Sequence, residues 1–177
     1  MAHFKRLGAP ALAALLVAAL LGAAPGKPVA AAAEVGLTAS IMVPAPAFVP
    51  QEDFTGYRVD YSGSFLQISE GGLQFFEASV LLPAAVVKVK KVTLYAYDND
   101  GTYDVCVGLH RVSPALAEDS VSMGGTCTSG GADVRPQVVS TTTLGPRQVS
   151  TASPGLVVVV TLGGGTRLYG VKVTYGY

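Results

Sequence analysis

The only long helix-like segment of this chain lies at its N-terminus and has the form of an export signal. Lys5 and Arg6 precede an almost unbroken apolar run, Leu7 to Ala24, and several small residues follow that run. A charged start, a short apolar stretch and small residues at a cleavage point are typical of a secretory signal. We therefore predict a signal peptide over residues 1–33 and a mature chain that begins at Glu34 and folds without this helix.

An uncleaved membrane anchor is the alternative interpretation of the apolar run, which is at the short end of what spans a bilayer. With cleavage, no membrane span is left, and the mature protein is expected to be secreted, or periplasmic where the cell has an outer membrane. Cleavage also removes three basic residues, which leaves nine basic residues against twelve acidic ones. Apart from Lys88, Lys90 and Lys91, no basic cluster survives, and this balance argues against a nucleic-acid partner.

The mature chain is rich in Val, Thr, Ser, Gly and Tyr, a composition that favours strands punctuated by turns. A Pro-rich extended lead-in is expected over residues 34–55, lying along a sheet edge, and a single β-domain over residues 56–177. The strand candidates are Tyr57–Tyr61, Ser64–Ser69, Leu73–Leu82, Val92–Asp98, Thr102–Val112, Val134–Leu144, Leu156–Leu162 and Arg167–Tyr177. Eight to ten short strands predict an all-β fold, an antiparallel two-sheet sandwich of jelly-roll-like topology, with an eight-stranded barrel as the alternative.

The clearest local pattern is a predicted β-hairpin centred on Asp98-Asn99-Asp100-Gly101. Asp at the first turn position and Gly at the fourth fit a type I turn closed by a bulge. The register that follows would pair Tyr97 with Thr102 and Tyr95 with Asp104. One face of this hairpin would then be apolar and the other polar.

Two cysteines, Cys106 and Cys127, lie in the mature part. An even pair in an exported chain predicts one disulfide. Such a bond also weakens the case for Cys106 as a nucleophile. His110 is the single mature histidine, and its position on a strand next to Arg111 favours a half-exposed sheet residue over a catalytic one.

Several segments together resemble a known group of proteins. These segments are Leu82-Pro83, Val92-Thr93-Leu94-Tyr95-Ala96-Tyr97-Asp98, Val107 to Val112 and Leu168-Tyr169-Gly170-Val171-Lys172-Val173-Thr174-Tyr175. They are similar to the lead-in, Asp-ended hairpin, Leu-x-Arg strand and Tyr-ended last strand of a broad group of uncharacterised exported bacterial β-sandwich proteins, for which no activity is established. The resemblance implies a compact jelly-roll-like β-sandwich and carries over no catalytic residue.

Two candidate sites fall on the predicted hairpin. Tyr95 and Tyr97 would form an aromatic platform with Asp104 as a hydrogen-bond partner, since sugar C–H faces stack on rings while carboxylates bind hydroxyls. Ordinary strand tyrosines are the alternative, and the absence of Trp favours it. Asp98, Asp100 and Asp104 would supply hard oxygen ligands for calcium, the one cofactor that the sequence offers. A plain turn explains the first two of these residues equally well.

The sequence thus predicts a secreted, non-enzymatic β-sandwich that acts as an extracellular binding module, with a glycan as the expected partner. A surface-structural subunit that self-associates through its first and last strands is one alternative. A glycan-active enzyme is the other, because glycoside hydrolysis needs only two convergent carboxyl groups, and the sequence does not say which carboxylates converge.

Overall fold

The strands of this chain form two antiparallel sheets that pack face to face. The computed structural model describes residues 37–53, 56–69, 72–83, 86–112, 120–129, 135–145, 148–150 and 155–177. All of them belong to one compact unit, Gly36–Tyr177. The predicted signal peptide lies outside the described residues. Among those residues, no helix has the length and apolar character needed to cross a membrane.

Twelve strands are described, and a short 3-10 turn, Ala45–Ala47, joins the first two. They are β1 (Thr38–Pro44), β2 (Val49–Pro50), β3 (Tyr57–Val59), β4 (Leu66–Ile68), β5 (Gln74–Val80), β6 (Val86–Asp98), β7 (Cys106–Val112), β8 (Ser120–Cys127), β9 (Arg135–Thr141), β10 (Gln148–Ser150), β11 (Gly155–Leu162) and β12 (Arg167–Gly176). The predicted all-β, antiparallel two-sheet sandwich is confirmed.

The large sheet is built around β6 and β12, which pair with each other over most of their length. The edge of β12 that faces away from β6 pairs first with β4 and then with β1, and β3 pairs with the outer edge of β4. The edge of β6 that faces away from β12 pairs first with β10 and then with β9. The small sheet has the order β2-β5-β11-β7-β8. The segment expected as a lead-in therefore contributes one strand to each sheet.

The core lies between the two sheets and follows the period-two alternation of the central strands. In β11, Leu156, Val158 and Val160 are buried, while Val157 and Val159 point to the other side of the small sheet and are partly exposed. In β6, Val92, Leu94 and Ala96 are buried and face the small sheet. The predicted strand Leu156–Leu162 therefore forms β11 and is buried on the side that faces the core.

The predicted hairpin is wrong, although both of its strands form. Val92–Asp98 belongs to β6 in the large sheet, whereas β7 pairs with β11 and β8 in the small sheet. The residues between β6 and β7 therefore cross from one sheet to the other. Tyr95 does not pair with Asp104; its cross-strand neighbours are Gly170 and Val138.

Asp98 fixes this crossing between the sheets. Its side chain is 2% exposed, and one carboxylate oxygen accepts a hydrogen bond from the backbone N–H of Asp100 at 3.1 Å. The other oxygen accepts from the Thr128 hydroxyl and from the backbone N–H of Val105, the latter at 3.4 Å. A buried carboxylate is stabilised only when such donors surround it. Asp98 thereby ties the end of β6 to residues beside β7 and β8.

A second tight crossing, from β11 to β12, packs against the first one. A side chain at Gly163 would place its Cβ 2.8 Å from Asp100 Oδ2 and 3.0 Å from the Tyr103 side chain. A side chain here would have to displace the Asp100 carboxylate and crowd Tyr103, which favours glycine. The Thr166 hydroxyl closes the turn by donating to the Gly163 carbonyl at 2.7 Å. These two crossings form one end of the sandwich.

Asp60 organises the turn between β3 and β4 and makes the stability of the protein depend on pH. Its carboxylate accepts from the Ser62 hydroxyl and, at 3.0 Å, from the backbone N–H of Phe65. These hydrogen bonds, the one from Ser62 first, lower the pKa of Asp60 below its ordinary value of 3.8. A carboxyl whose pKa is lower in the folded state stabilises the fold above the ordinary pKa, and this contribution is lost as the pH falls below it.

We therefore expect Asp60→Asn to destabilise the protein at pH 7 and to have a progressively smaller effect below about pH 4. Urea denaturation of both proteins at a series of pH values measures the difference. A difference in unfolding free energy that is the same at pH 7 and pH 3 would contradict this role for Asp60.

Candidate functional site

A groove crosses the outer side of the small sheet, the side that faces away from the core. Its deeper part has a volume of about 440 Å³. Its lining residues come from four of the five strands and from the residue that follows β2; they are Gln51, Phe75, Glu77, His110, Val112, Ser120, Val157 and Val159. We refer to these residues as the groove. This volume falls within the range of small-molecule sites in proteins.

The floor of the groove is apolar and carries one accessible aromatic ring. Val157 and Val159 form its centre, because they are the outward-facing residues of β11. Phe75 lies on the neighbouring β5 and is 48% exposed. An aromatic side chain left half-exposed beside apolar residues, in a concave surface, is characteristic of a binding site.

Polar groups stand beside the ring. Gln51 donates its backbone N–H to the Phe75 carbonyl at 3.0 Å, and its side-chain amide donates to Glu77 Oε2 at 3.1 Å. This pair holds one carboxylate oxygen of Glu77 in place and leaves acceptor capacity on the carboxylate. His110, on β7, contributes an imidazole from the opposite side of β11. The groove thus combines an apolar floor with hydrogen-bonding groups on both sides.

The groove continues along β7 and β8 over a second, shallower depression of about 380 Å³. Phe75, His110 and Val159 line both parts. Gly108 and Gly125 face each other across β7 and β8, and the His110 imidazole lies over Gly108, where a Cβ would be 3.0 Å from its Nε2. The disulfide between Cys106 and Cys127 lies two register positions further along and lines the same depression.

The predicted disulfide is confirmed, and it joins directly opposed residues on adjacent strands. Cys106 is the register partner of Cys127, and their Cα atoms are 4.0 Å apart. It therefore holds the edge strand β8 against β7. The bond therefore lies in the small sheet, whereas Tyr95 and Tyr97 belong to the large sheet.

Tyr95 and Tyr97 lie on the outer side of the large sheet, on the opposite surface of the sandwich from the groove. The Lys172 ammonium lies 5.8 Å from the centre of the Tyr95 ring. The Arg167 guanidinium lies 5.2 Å from the centre of the Tyr97 ring and 4.8 Å from that of Phe65. The two rings therefore share a face, as predicted, but cations of β12 already contact them.

The structure does not bring the predicted carboxylates together. Asp104 is exposed in the crossing between the sheets, while Asp98 is buried at the end of β6. Asp100 accepts from the backbone N–H of Thr102 at 2.8 Å, a turn interaction. In the described part of the chain, no three acidic, histidine or cysteine side chains are grouped so that they could hold a metal ion. Calcium binding by Asp98, Asp100 and Asp104 stays a prediction, to be checked by melting with and without chelator.

Sequence reasoning missed the groove, although part of its signal was present. The run from Leu156 to Leu162 is apolar at every position but one, so a single strand was bound to show apolar residues on both sides. The adjacent pair Phe75 and Phe76 likewise predicts an apolar residue on each side of the sheet, because adjacent residues of a strand face opposite ways. The neighbouring positions on β7 and β8 could not be inferred, since the order of the strands was unknown.

No protein-family model matches this sequence, and no curated protein matches it. Among solved structures, the C-terminal CBM6 of LamC, a marine laminarinase from Zobellia galactanivorans, aligns with a TM-score of 0.49 and 12% identity, over 77% of this chain and 99% of that one. The GH26-CBM35 β-(1,4)-mannanase of Podospora anserina aligns with a TM-score of 0.45 and 14% identity, over 76% of this chain and 27% of that one.

The isomalto-dextranase of Arthrobacter globiformis T6, complexed with panose, aligns with a TM-score of 0.42 and 13% identity, over 76% of this chain and 23% of that one. This chain therefore spans only about a quarter of the mannanase and of the dextranase. All three TM-scores lie below 0.5, so a function for this protein has to be inferred from its own residues.

Proposed function

We propose that this protein is a non-enzymatic extracellular binding module that holds a neutral glycan in the groove. The observation that carries this proposal is the half-exposed Phe75 ring beside the Glu77 carboxylate, over a floor of outward-facing valines. A sugar ring presents an apolar C–H face and a rim of hydroxyl groups. The C–H face would stack on Phe75, while Glu77 and His110 would bind the hydroxyls.

A binding role suits this groove better than a hydrolytic one. Cleavage of a glycosidic bond normally uses two carboxyl groups that flank the bond. Among the described residues that line the groove, Glu77 is the single carboxylate. It also accepts a hydrogen bond from Gln51, which suits a fixed acceptor.

The extracellular location is supported by the disulfide, whose cysteines are not buried in the core. Cys106 is partly exposed and Cys127 is exposed. Disulfides of this kind persist in oxidising compartments and are rare in the cytosol. Export by the predicted signal peptide would deliver the protein to such a compartment.

Among the described strands, β1 pairs with β12 alone, so the alternative of self-assembly is disfavoured for the last strand only. β12 is paired on both sides, with β6 on one and with β4 and β1 on the other. It therefore has no free edge along which a second copy could add a strand.

The proposal predicts that Phe75→Ala abolishes glycan binding while leaving the fold intact. Affinity electrophoresis in gels that contain β-1,3-glucan, β-1,4-mannan, xylan or dextran measures retardation of the mature protein. Loss of the ring is expected to weaken binding at least about tenfold, the size of effect seen when a central aromatic contact is removed. Tyr61→Ala is the matched control, because Tyr61 is a fully exposed aromatic residue in the turn between β3 and β4 of the large sheet, outside the groove.

The expected result is retardation of the unmodified protein and of Tyr61→Ala, with free migration of Phe75→Ala. Equal retardation of both variants would show that the glycan binds outside the groove. Free migration of the unmodified protein in all four gels would contradict binding of a neutral glycan.

A further inference from the structure

Charge is distributed unequally between the two sheets. The strands of the large sheet contain seven basic residues, namely Arg58, Lys88, Lys90, Lys91, Arg135, Arg167 and Lys172. They contain one acidic residue, Asp98, which is buried. The strands of the small sheet contain one residue of each sign, Arg111 and Glu77. The other acidic residues in the described part of the chain lie outside the strands; they are Glu52, Asp53, Asp60, Asp100 and Asp104.

The strand register places the cations of β6 and β12 on the outer side of the large sheet. Val89, Val92 and Val173 are buried and face the core, so the residues next to them in sequence face outward. Lys88 lies opposite Gly176, and Lys172 lies opposite Thr93. Neither partner carries a carboxylate. We refer to Lys88, Lys90, Lys91, Arg167 and Lys172 as the cationic face.

The cationic face follows two neighbouring strands and is long as well as narrow. The stretch of β6 from Lys88 to Tyr97 pairs continuously with β12 apart from two bulges. Ten residues of a strand extend over about 30 Å. A strip of this shape matches an extended chain molecule better than a compact ligand.

The same face offers hydrogen-bond donors without acceptors. Within the described residues, Thr93 Oγ1 and Arg167 Nε are buried and have no hydrogen-bond partner. Thr93 is 4% exposed and lies between Lys172 and Ser140. Arg167 and Lys172 are held against aromatic rings instead of carboxylates. Exposed or partly exposed cations that have no carboxylate partner among the described residues favour a ligand rich in negatively charged oxygens.

We propose that the cationic face is a second binding site, separate from the groove, and that its ligand is an anionic polysaccharide with carboxylate or sulfate groups. Repeated anions along such a chain match cations spread along β6 and β12. The half-exposed Tyr95 and Tyr97 rings would contact the sugar C–H faces between these charges. The expected mature chain has nine basic and twelve acidic residues, so the attraction of a polyanion comes from this surface and not from the net charge.

The test is affinity electrophoresis of the mature protein in gels that contain alginate or dextran sulfate, with uncharged dextran for comparison. The test variant combines Lys88→Gln, Lys90→Gln and Lys91→Gln, and a second variant is Lys172→Gln. The matched control is Arg111→Gln, which removes one positive charge from a strand of the small sheet. Thermal melting of each variant confirms that it is folded.

We expect the triple variant to bind both polyanions at least about tenfold more weakly and to lose part of the salt dependence of binding. Arg111→Gln and Phe75→Ala are expected to bind them as the unmodified protein does. Unchanged binding by the triple variant, or an equal loss in Arg111→Gln, would overturn the proposal. Stronger binding to duplex DNA or to phosphatidylglycerol vesicles than to either polysaccharide would also overturn it. Because Phe75→Ala tests the groove alone, the two proposals fail separately.

Discussion

Replacing Asp98 with alanine is expected to lower the free energy of unfolding by about 3 kcal/mol. The buried carboxylate accepts hydrogen bonds from Asp100 and Thr128, and its removal deprives both donors of their charged acceptor, whereas the Val105 N–H keeps Thr128 Oγ1 at 2.9 Å. Hydrogen bonds to a charged group are worth more than those between neutral groups. The end of β6 would lose its attachment to Thr128, the residue that follows β8.

Urea denaturation followed by far-UV circular dichroism measures this loss, and Asp104→Ala is the matched control. Asp104 is exposed in the same crossing, so its removal is expected to change stability by less than about 0.5 kcal/mol. Equal effects of the two substitutions would contradict the role given to Asp98. A loss for Asp98→Ala that appears only in the presence of calcium would point to the calcium site instead.

Removing the disulfide is the second change with a large expected effect. A bond that closes a loop of this length, with a sequence separation of 21, stabilises a protein by about 3 kcal/mol in the chain-entropy model. β8 depends on it, because the described part of this edge strand contributes one buried residue, Met123, to the core. Ser and Gly make up half of the strand and favour β-structure weakly.

Hydrogen exchange of the oxidised protein and of a Cys106→Ser, Cys127→Ser double variant measures the effect by region. We expect the double variant to lose protection at β8 first, whereas β6 and β12 keep theirs until global unfolding. Equal loss of protection in both sheets would show that the bond stabilises the whole domain and not its edge. Unchanged urea midpoints would contradict any stabilising role.

The sequence was informative where the pattern is local and failed where distant segments meet. Val, Thr and Tyr in short runs predicted β5, β6, β11 and β12, with β6 starting earlier than expected, at Val86. β8 was not predicted, because Ser and Gly rarely mark a strand. It exists because β7 and the disulfide hold it in place.

The failed hairpin shows why turn chemistry does not determine which strands pair. Asp98-Asn99-Asp100-Gly101 has the residues of a hairpin turn, and Asp98 and Asp100 do make local turn hydrogen bonds. A tight turn serves equally to cross between two sheets, and the choice depends on which neighbours β6 and β7 find. Instead, β6 pairs with β12 and β7 pairs with β11. Each of these partners lies more than forty residues further along the chain. The face shared by Tyr95 and Tyr97 followed from strand alternation alone, whereas the position of Asp104 did not.

The central claim, that the groove is the binding site for a neutral glycan, is tested most directly by NMR. The ¹⁵N-labelled mature protein would be titrated with oligosaccharides of the neutral polysaccharide that retards it most in the gel. We expect the largest amide shifts at Phe75, Glu77, His110 and Val159, with Tyr95 and Tyr97 unchanged. Shifts confined to Tyr95, Tyr97 and their neighbours on β12, or none during the titration, would contradict the claim.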